Sequence, residues 1–252
     1  MISYNILKYF FKFINPWRYF TYSPTMDNVL HRDCQFIKSY TAFLNSNKKY
    51  KGNDKNKLHL ELFPEPFAGS PCAPIYLLGG NPGYNSEDVN WCNSSKACSK
   101  DYILLMKKNL RHISSSFVFF DKKLKGYGGF KWWSQHIDDE MKDRIFNIEY
   151  FPYHTQKADG LKEFLDTNPK VKCGSNRYTD HLIHVAMNDG KVIIITRFER
   201  FWLSRIQSLK DYKNLYVLLN YQSARVKQDN IVKYEEFQFL KQDSWTNIKQ
   251  IL

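Results

Sequence analysis

The chain separates into stretches whose apolar residues recur at helical spacing and short runs that are almost continuously apolar. Val29, Cys34, Phe36, Ile37, Tyr40 and Leu44 follow the helical period and predict a helix over 27–46. Pro74–Leu78, Ile145–Phe151, Lys191–Thr196 and Leu215–Leu219 are too short for helices and read as strands buried on both faces. Helical patterns separate them over Asp101–Leu110, Phe130–Met141, Tyr178–Asn188 and Phe198–Leu209, and Tyr234–Leu252 predicts a last helix. This alternation predicts an α/β protein: a three-layer α/β/α arrangement around a central, mostly parallel four-stranded sheet. Such sheets bind ligands outside the carboxyl ends of their strands, so the segments that follow the strands carry the candidate chemistry.

Two N-terminal features stand apart. Ile2–Ile14 is apolar and aromatic but is interrupted by Lys8 and Lys12. It falls short of the ~20 apolar residues of a membrane span, and it is followed by no cleavage-site pattern. An amphipathic surface helix and packing as core or lid are its two readings. Asn45–Lys57, with Lys48, Lys49, Lys51, Lys55 and Lys57 around Gly52, predicts an exposed basic loop. Residues 1–56 are therefore expected to be an N-terminal helical and aromatic extension ending in that loop, with 57–252 forming one compact α/β domain. The five cysteines, Cys34, Cys72, Cys92, Cys98 and Cys173, are odd in number and have no metal-ligand spacing. The expectation is a reducing cytoplasm, with no disulfide framework, metal or membrane partner.

Composition sharpens this only in part. Of 252 residues, 37 are Lys or Arg and 25 are Asp or Glu, a formal net charge of +12. That balance suits a polyanionic partner, and it also suits a Lys- and Asn-rich protein that binds none. Aromatic residues make up 17% of the chain, enough both to fill a core and to supply rings on which bases stack.

Each strand exit has a distinct chemistry. The first is Gly79-Gly80-Asn81-Pro82-Gly83-Tyr84. Its glycines permit a tight turn and Pro82 stiffens it, so that Asn81 is presented at the rim. It has neither the Gly-Lys-Ser/Thr ending of a phosphate loop nor the dinucleotide glycine pattern. The second strand carries Asn147 and Glu149 and runs on through Phe151 and Tyr153 to His154. A carboxylate among so many aromatic residues needs a partner, a buried arginine or backbone donors, or else a place at a functional edge. The third exit holds Arg197, with Glu199 open to pairing with Arg200 or Arg205. The fourth, Asn220 to Lys227, is polar and basic: a nucleic-acid-facing loop or a solvated one.

These four segments, in this order, resemble the uracil-DNA glycosylase superfamily. Gly79-Gly80-Asn81-Pro82-Gly83 is similar to the Gly-x-Asn-Pro-Gly motif of its mismatch-specific and single-strand-selective branches, where the asparagine positions the attacking water. Gly190–Trp202 is similar to the strand and helix before the last motif, and Asn220–Arg225 lies where that family enters the duplex. The resemblance spans roughly residues 57–230 and implies a uracil-DNA glycosylase-like fold. Two positions depart from the pattern. Glu149 stands where the family reads uracil with an asparagine; Asn147, two residues upstream, faces the same way in an extended strand. An ionised carboxylate only accepts hydrogen bonds, so it repels uracil O4 and favours the N4 amino group of cytosine. Asn220 stands in place of a histidine that donates to the base O2, and its amide still donates.

The implied function is a monofunctional DNA glycosylase, acting by base flipping and hydrolysis of the N-glycosidic bond to leave an abasic site. Unrestricted release of plain cytosine would destroy the host genome. A modified cytosine, such as the glucosylated hydroxymethylcytosine of bacteriophage DNA, is the expected substrate, and antiviral defence the expected setting. Uracil removal in DNA repair is an alternative. Asn81 and Asn220 are the expected catalytic residues. Gly80, Pro82, Gly83, Tyr84, Glu149, Phe151 and Tyr153 are expected around the base, one of the three aromatic rings stacking on it. Arg197, Ser223, Arg225, Val226 and Lys227 are expected against DNA, with Arg225 or Val226 filling the vacated stack. No cofactor is expected, and the protein is expected to be a monomer. Two rival readings are a non-catalytic nucleic-acid-binding module on the same fold and an unrelated nucleoside hydrolase. Trp132 and Trp133 are expected in the core.

Overall fold

A computed structural model describes residues 15–23, 26–94, 96–112, 116–137, 139–220 and 225–238. Ile2–Ile14, Ser223 and most of the predicted last helix lie outside them; residues 234–238, its first turn, are helical.

The four predicted strands are present as β2 (Ile75–Leu78), β3 (Ile145–Ile148), β4 (Val192–Ile195) and β5 (Leu215–Leu218). They pair in parallel in the order β3-β2-β4-β5. The sheet is larger than expected. Two three-residue strands, β1 (Phe67–Gly69) and β6 (Ile231–Lys233), add antiparallel edges and give a six-stranded mixed sheet in the order β1-β3-β2-β4-β5-β6. Successive strand side chains point to opposite faces, yet Tyr76, Leu77 and Leu78 are all fully buried, so both faces are covered.

Among the described residues the α-helices are α1 (Cys34–Ser46), α2 (Ser86–Ser94), α3 (Lys96–Leu110), α4 (Gly128–His136), α5 (Asp159–Thr167), α6 (Asn176–Asn188) and α7 (Glu199–Arg205). No helix among those residues is long and apolar enough to cross a membrane. The loop around Lys48–Lys57 exposes its lysines as expected, while Asn56 anchors it by accepting from the Gly160 N–H and the Tyr40 hydroxyl.

The N-terminal segment shares the core of the sheet domain. Phe36 on α1 packs against Phe151 and Phe164, and Trp17 packs against Tyr153. Asp33, fully buried at the start of α1, accepts from the Tyr153 hydroxyl (2.9 Å) and the Ser175 N–H (2.7 Å). A buried carboxylate so bound fixes the entry to α1 against the segment after β3.

Candidate active site

Strand register places the site. Leu78 at the end of β2 is level with Ile148 of β3 and Ile195 of β4. The next residues, Gly79, Glu149 and Thr196, therefore leave the sheet side by side. The chain winds to one side of β2 through β3 and to the other through β4 and β5, so this is also the switch point of the sheet. A cavity of about 340 Å³ opens there, its lining including Glu65, Gly79–Tyr84, Asp88, Tyr127, Trp132, Asn147, Glu149, His154 and Arg197.

The exit loop of β2 is held on three sides. Gly79 N–H donates to the Ile148 carbonyl, and the Gly79 carbonyl accepts from the Trp202 indole at 2.7 Å. The loop then runs beside the segment after β3, through hydrogen bonds from Phe151 to Gly80, Thr155 to Pro82 and Tyr84 to Thr155. Asn81 is fixed by its amide nitrogen, which donates to the Pro82 carbonyl (2.9 Å) and Thr155 Oγ1 (2.8 Å). With both amide hydrogens engaged, Oδ1 is the atom left to accept from a water.

Glu149 and Asn147 share one face, as two residues apart in an extended strand must. Asn147 Nδ2 donates to Glu149 Oε1 at 2.8 Å. Glu149 Oε2 and Asn147 Oδ1 are both shielded from water and have no hydrogen-bond partner among the described residues. The carboxyl occupies space that only a glycine at 79 leaves open: a Cβ there would lie 2.7 Å from Glu149 Cδ. Burial pushes the Glu149 carboxyl up to about 7, against the opposing pull of the Asn147 hydrogen bond and of Arg197. Of the two structural alternatives for this carboxylate, the arginine partner is absent: among the described residues no arginine hydrogen-bonds to it. Arg205 instead binds Asp180 and the Tyr150 carbonyl, and Arg200 pairs with Asp166 rather than Glu199.

The far wall is acidic and aromatic. Tyr127 donates to Glu65 (2.7 Å), and Asp88 accepts from the Gly128 N–H at the start of α4 (2.5 Å). Burial raises the pKa of both carboxyls. His154 is a structural member of this wall. Its two ring nitrogens face the carbonyls of Gly83 (2.7 Å) and Phe63 (2.9 Å), and Glu65 lies 3.7 Å away. Tyr84 stacks on His59. Trp133 is buried against Phe117 and also borders the cavity, and Trp132 is half-buried on the cavity wall with the Arg197 guanidinium over its ring.

No family model, curated protein or solved structure matches this chain.

The structure thus brings together Gly80, Asn81, Pro82, Gly83, Tyr84, Glu149 and Arg197. It does not bring Phe151 and Tyr153 to the cavity. Both are buried, Phe151 against Phe36 and Tyr153 with its hydroxyl on Asp33 and the Leu30 N–H, because the chain turns inward after Tyr150. Asn220 is exposed beyond β5, its N–H bound to Asn230, and is not among the residues lining the cavity. Arg225 and Lys227 are exposed, as a DNA contact requires. Val226 is buried, and its N–H donates to the His136 carbonyl at the end of α4, so it does not project as a plug. Ser223 lies outside the described residues.

Sequence reasoning missed Glu65, Asp88, Tyr127 and Thr155. Each comes from a loop or helix with no local motif, so only the folded chain assembles them. Among the described residues no cluster of three or more His, Cys, Asp or Glu side chains is placed to hold a metal ion.

Proposed function

We propose that the protein is a DNA glycosylase that hydrolyses the N-glycosidic bond of a flipped, modified cytosine, on a fold of the uracil-DNA glycosylase kind. One observation carries the reading: Asn81, its amide nitrogen bound to Pro82 and Thr155 so that Oδ1 is left to accept, shares a cavity with Glu149 and Asn147 at the switch point of the sheet. A water donating to Asn81 Oδ1 would stand near C1′ while the base edge meets Asn147 on β3 and Glu149 just beyond it. Asn147 Oδ1 is a free acceptor there, which suits the amino group of a cytosine. The volume of about 340 Å³ lies at the low end of the ~300–1,000 Å³ range of small-molecule sites. The net charge of +12 and the exposed Arg197, Arg225 and Lys227 favour a nucleic-acid backbone as partner.

The test is base release, read by alkali cleavage of abasic sites, from oligonucleotides containing uracil, cytosine, hydroxymethylcytosine or glucosylated hydroxymethylcytosine. Release of a modified cytosine by the wild type, lost in Asn81→Ala with DNA binding retained, is the expected result. Release of uracil alone would keep the family and remove the cytosine reading. Tight DNA binding with no release from any substrate would favour the non-catalytic module.

A further inference from the structure

Glu149 and Asn147 offer more than recognition. Oε1 of Glu149 is already occupied by the Asn147 amide, so a proton on this carboxyl resides on Oε2, the oxygen without a partner. Beside it, Asn147 Oδ1 is a buried acceptor that is also unsatisfied. The pair holds one hydroxyl donor and one amide acceptor two residues apart on one face, both covered in this conformation, so a base reaches them as the surrounding wall gives way. That pattern complements the Watson–Crick edge of cytosine, whose N3 accepts and whose N4 amino group donates.

We infer that Glu149 is the general acid of the reaction, delivering its Oε2 proton to N3 of the departing cytosine while Asn147 Oδ1 holds the N4 amino group. The inference rests on the glycosylase reading above and names the residue that activates the leaving group. Cytosine departs poorly as an anion, and Asn220, the donor that the sequence pattern offers for the base, lies outside the cavity lining. In the step, the Oε2 proton moves to N3 and the C1′–N1 bond breaks with its electron pair going to N1, so the base leaves neutral. The water held by Asn81 adds its oxygen to C1′ and gives a proton to solvent, and the Glu149 carboxylate regains one from solvent. The groups that set the proton affinity of Glu149 are Asn147 on its own strand, Arg197 beyond β4, Glu65 before β1 and His154 beyond β3. Burial outweighs them and keeps a substantial protonated fraction near neutrality, where a general acid works best.

The decisive measurement is single-turnover release of glucosylated hydroxymethylcytosine between pH 5 and 9. Wild type and Glu149→Gln are compared, alongside binding of a non-hydrolysable 2′-fluoro substrate. Glutamine preserves the donor and the shape but cannot transfer a proton. The expected wild-type rate is level at low pH and falls about tenfold per unit above about 7. Glu149→Gln should be at least ~10²-fold slower at pH 6, without that descending limb, and should still bind the analogue. A wild-type rate independent of pH, a Gln variant as fast as wild type, or the same limb persisting in the variant would each overturn the assignment while leaving the glycosylase intact. Absence of release from every substrate at every pH would overturn the glycosylase reading, and this inference with it.

Discussion

Gly79→Ala isolates the dependence of the site on the Glu149 carboxyl. The added methyl would lie 2.7 Å from Glu149 Cδ, whereas unbonded carbons rest about 3.5–4.0 Å apart, so something must retreat by about 1 Å. The backbone of residue 79 is pinned through its N–H to Ile148 and its carbonyl to Trp202, and the side chain of Glu149 is therefore what moves. Overpacking of this kind costs roughly 1–3 kcal/mol. For a domain this size that lowers the melting temperature by a few degrees, at about 2–4 °C per kcal/mol. A displacement of about 1 Å in a reacting group can cost about 10²-fold in rate, so base release should fall far more than stability does. Calorimetry would confirm that the variant is folded, and single-turnover release would give the rate. A stable Gly79→Ala protein with the wild-type rate would refute the reasoning that ties catalysis to the position of this carboxyl.

Other expectations concern the supports of the site. Burial raises the Glu149 carboxyl from its ordinary 4.5 to about 7, so the folded protein holds an extra proton between those values. Its contribution to stability is complete below about 4.5 and is lost as pH rises through about 7. Glu149→Gln should therefore gain on the wild type at pH 8 relative to pH 4.5 by up to about 3 kcal/mol in denaturant unfolding; an equal difference at both pH values would contradict this. Thr155→Val removes an acceptor of the Asn81 amide and should slow release roughly tenfold or more while leaving DNA affinity unchanged; a drop in affinity alone would count against Asn81 as the group being positioned. Tyr153→Phe leaves Asp33 and the Leu30 N–H each short of a partner, at about 1–3 kcal/mol in unfolding experiments. Because Tyr153 is away from the cavity, release per folded molecule should not change. Arg225→Gln with Lys227→Gln should lower DNA affinity and flatten its salt dependence by about 0.9 per lost phosphate contact; an unaltered salt slope would place DNA elsewhere.

The readable parts of the fold were those with continuous burial. β2, β4 and β5 appear in the sequence because strands covered on both faces have no polar alternation to obscure them. β3 ends three residues before the predicted end, since Glu149–Phe151 continue the aromatic run after strand pairing has ended. β1 and β6 escaped detection because three residues carry no period. The helix read over 27–46 begins at Cys34, after a short turn of tighter helix at His31–Asp33. α5 is an addition to the predicted helices, its Leu161, Phe164 and Leu165 at helical spacing and buried. Asn81 and Glu149 were visible in the sequence as strand exits. Their common level, and the carboxyls of Glu65 and Asp88 facing them, depend on pairing between segments far apart in the chain.

Helix α4 connects the basic segment beyond β5 to the cavity. Its first residue is clamped to Asp88 at the cavity, and its last is bonded to Val226 in the basic segment beyond β5. Its nine residues span about 13 Å, a short, stiff strut between the two. On the proposed function, a shift of Arg225 and Lys227 against a DNA backbone would pull on the Val226–His136 bond and so on the end of the strut. A tilt would carry Trp132 and the Asp88 clamp with it, so that grip on a backbone and the shape of the cavity would act as the two arms of one lever.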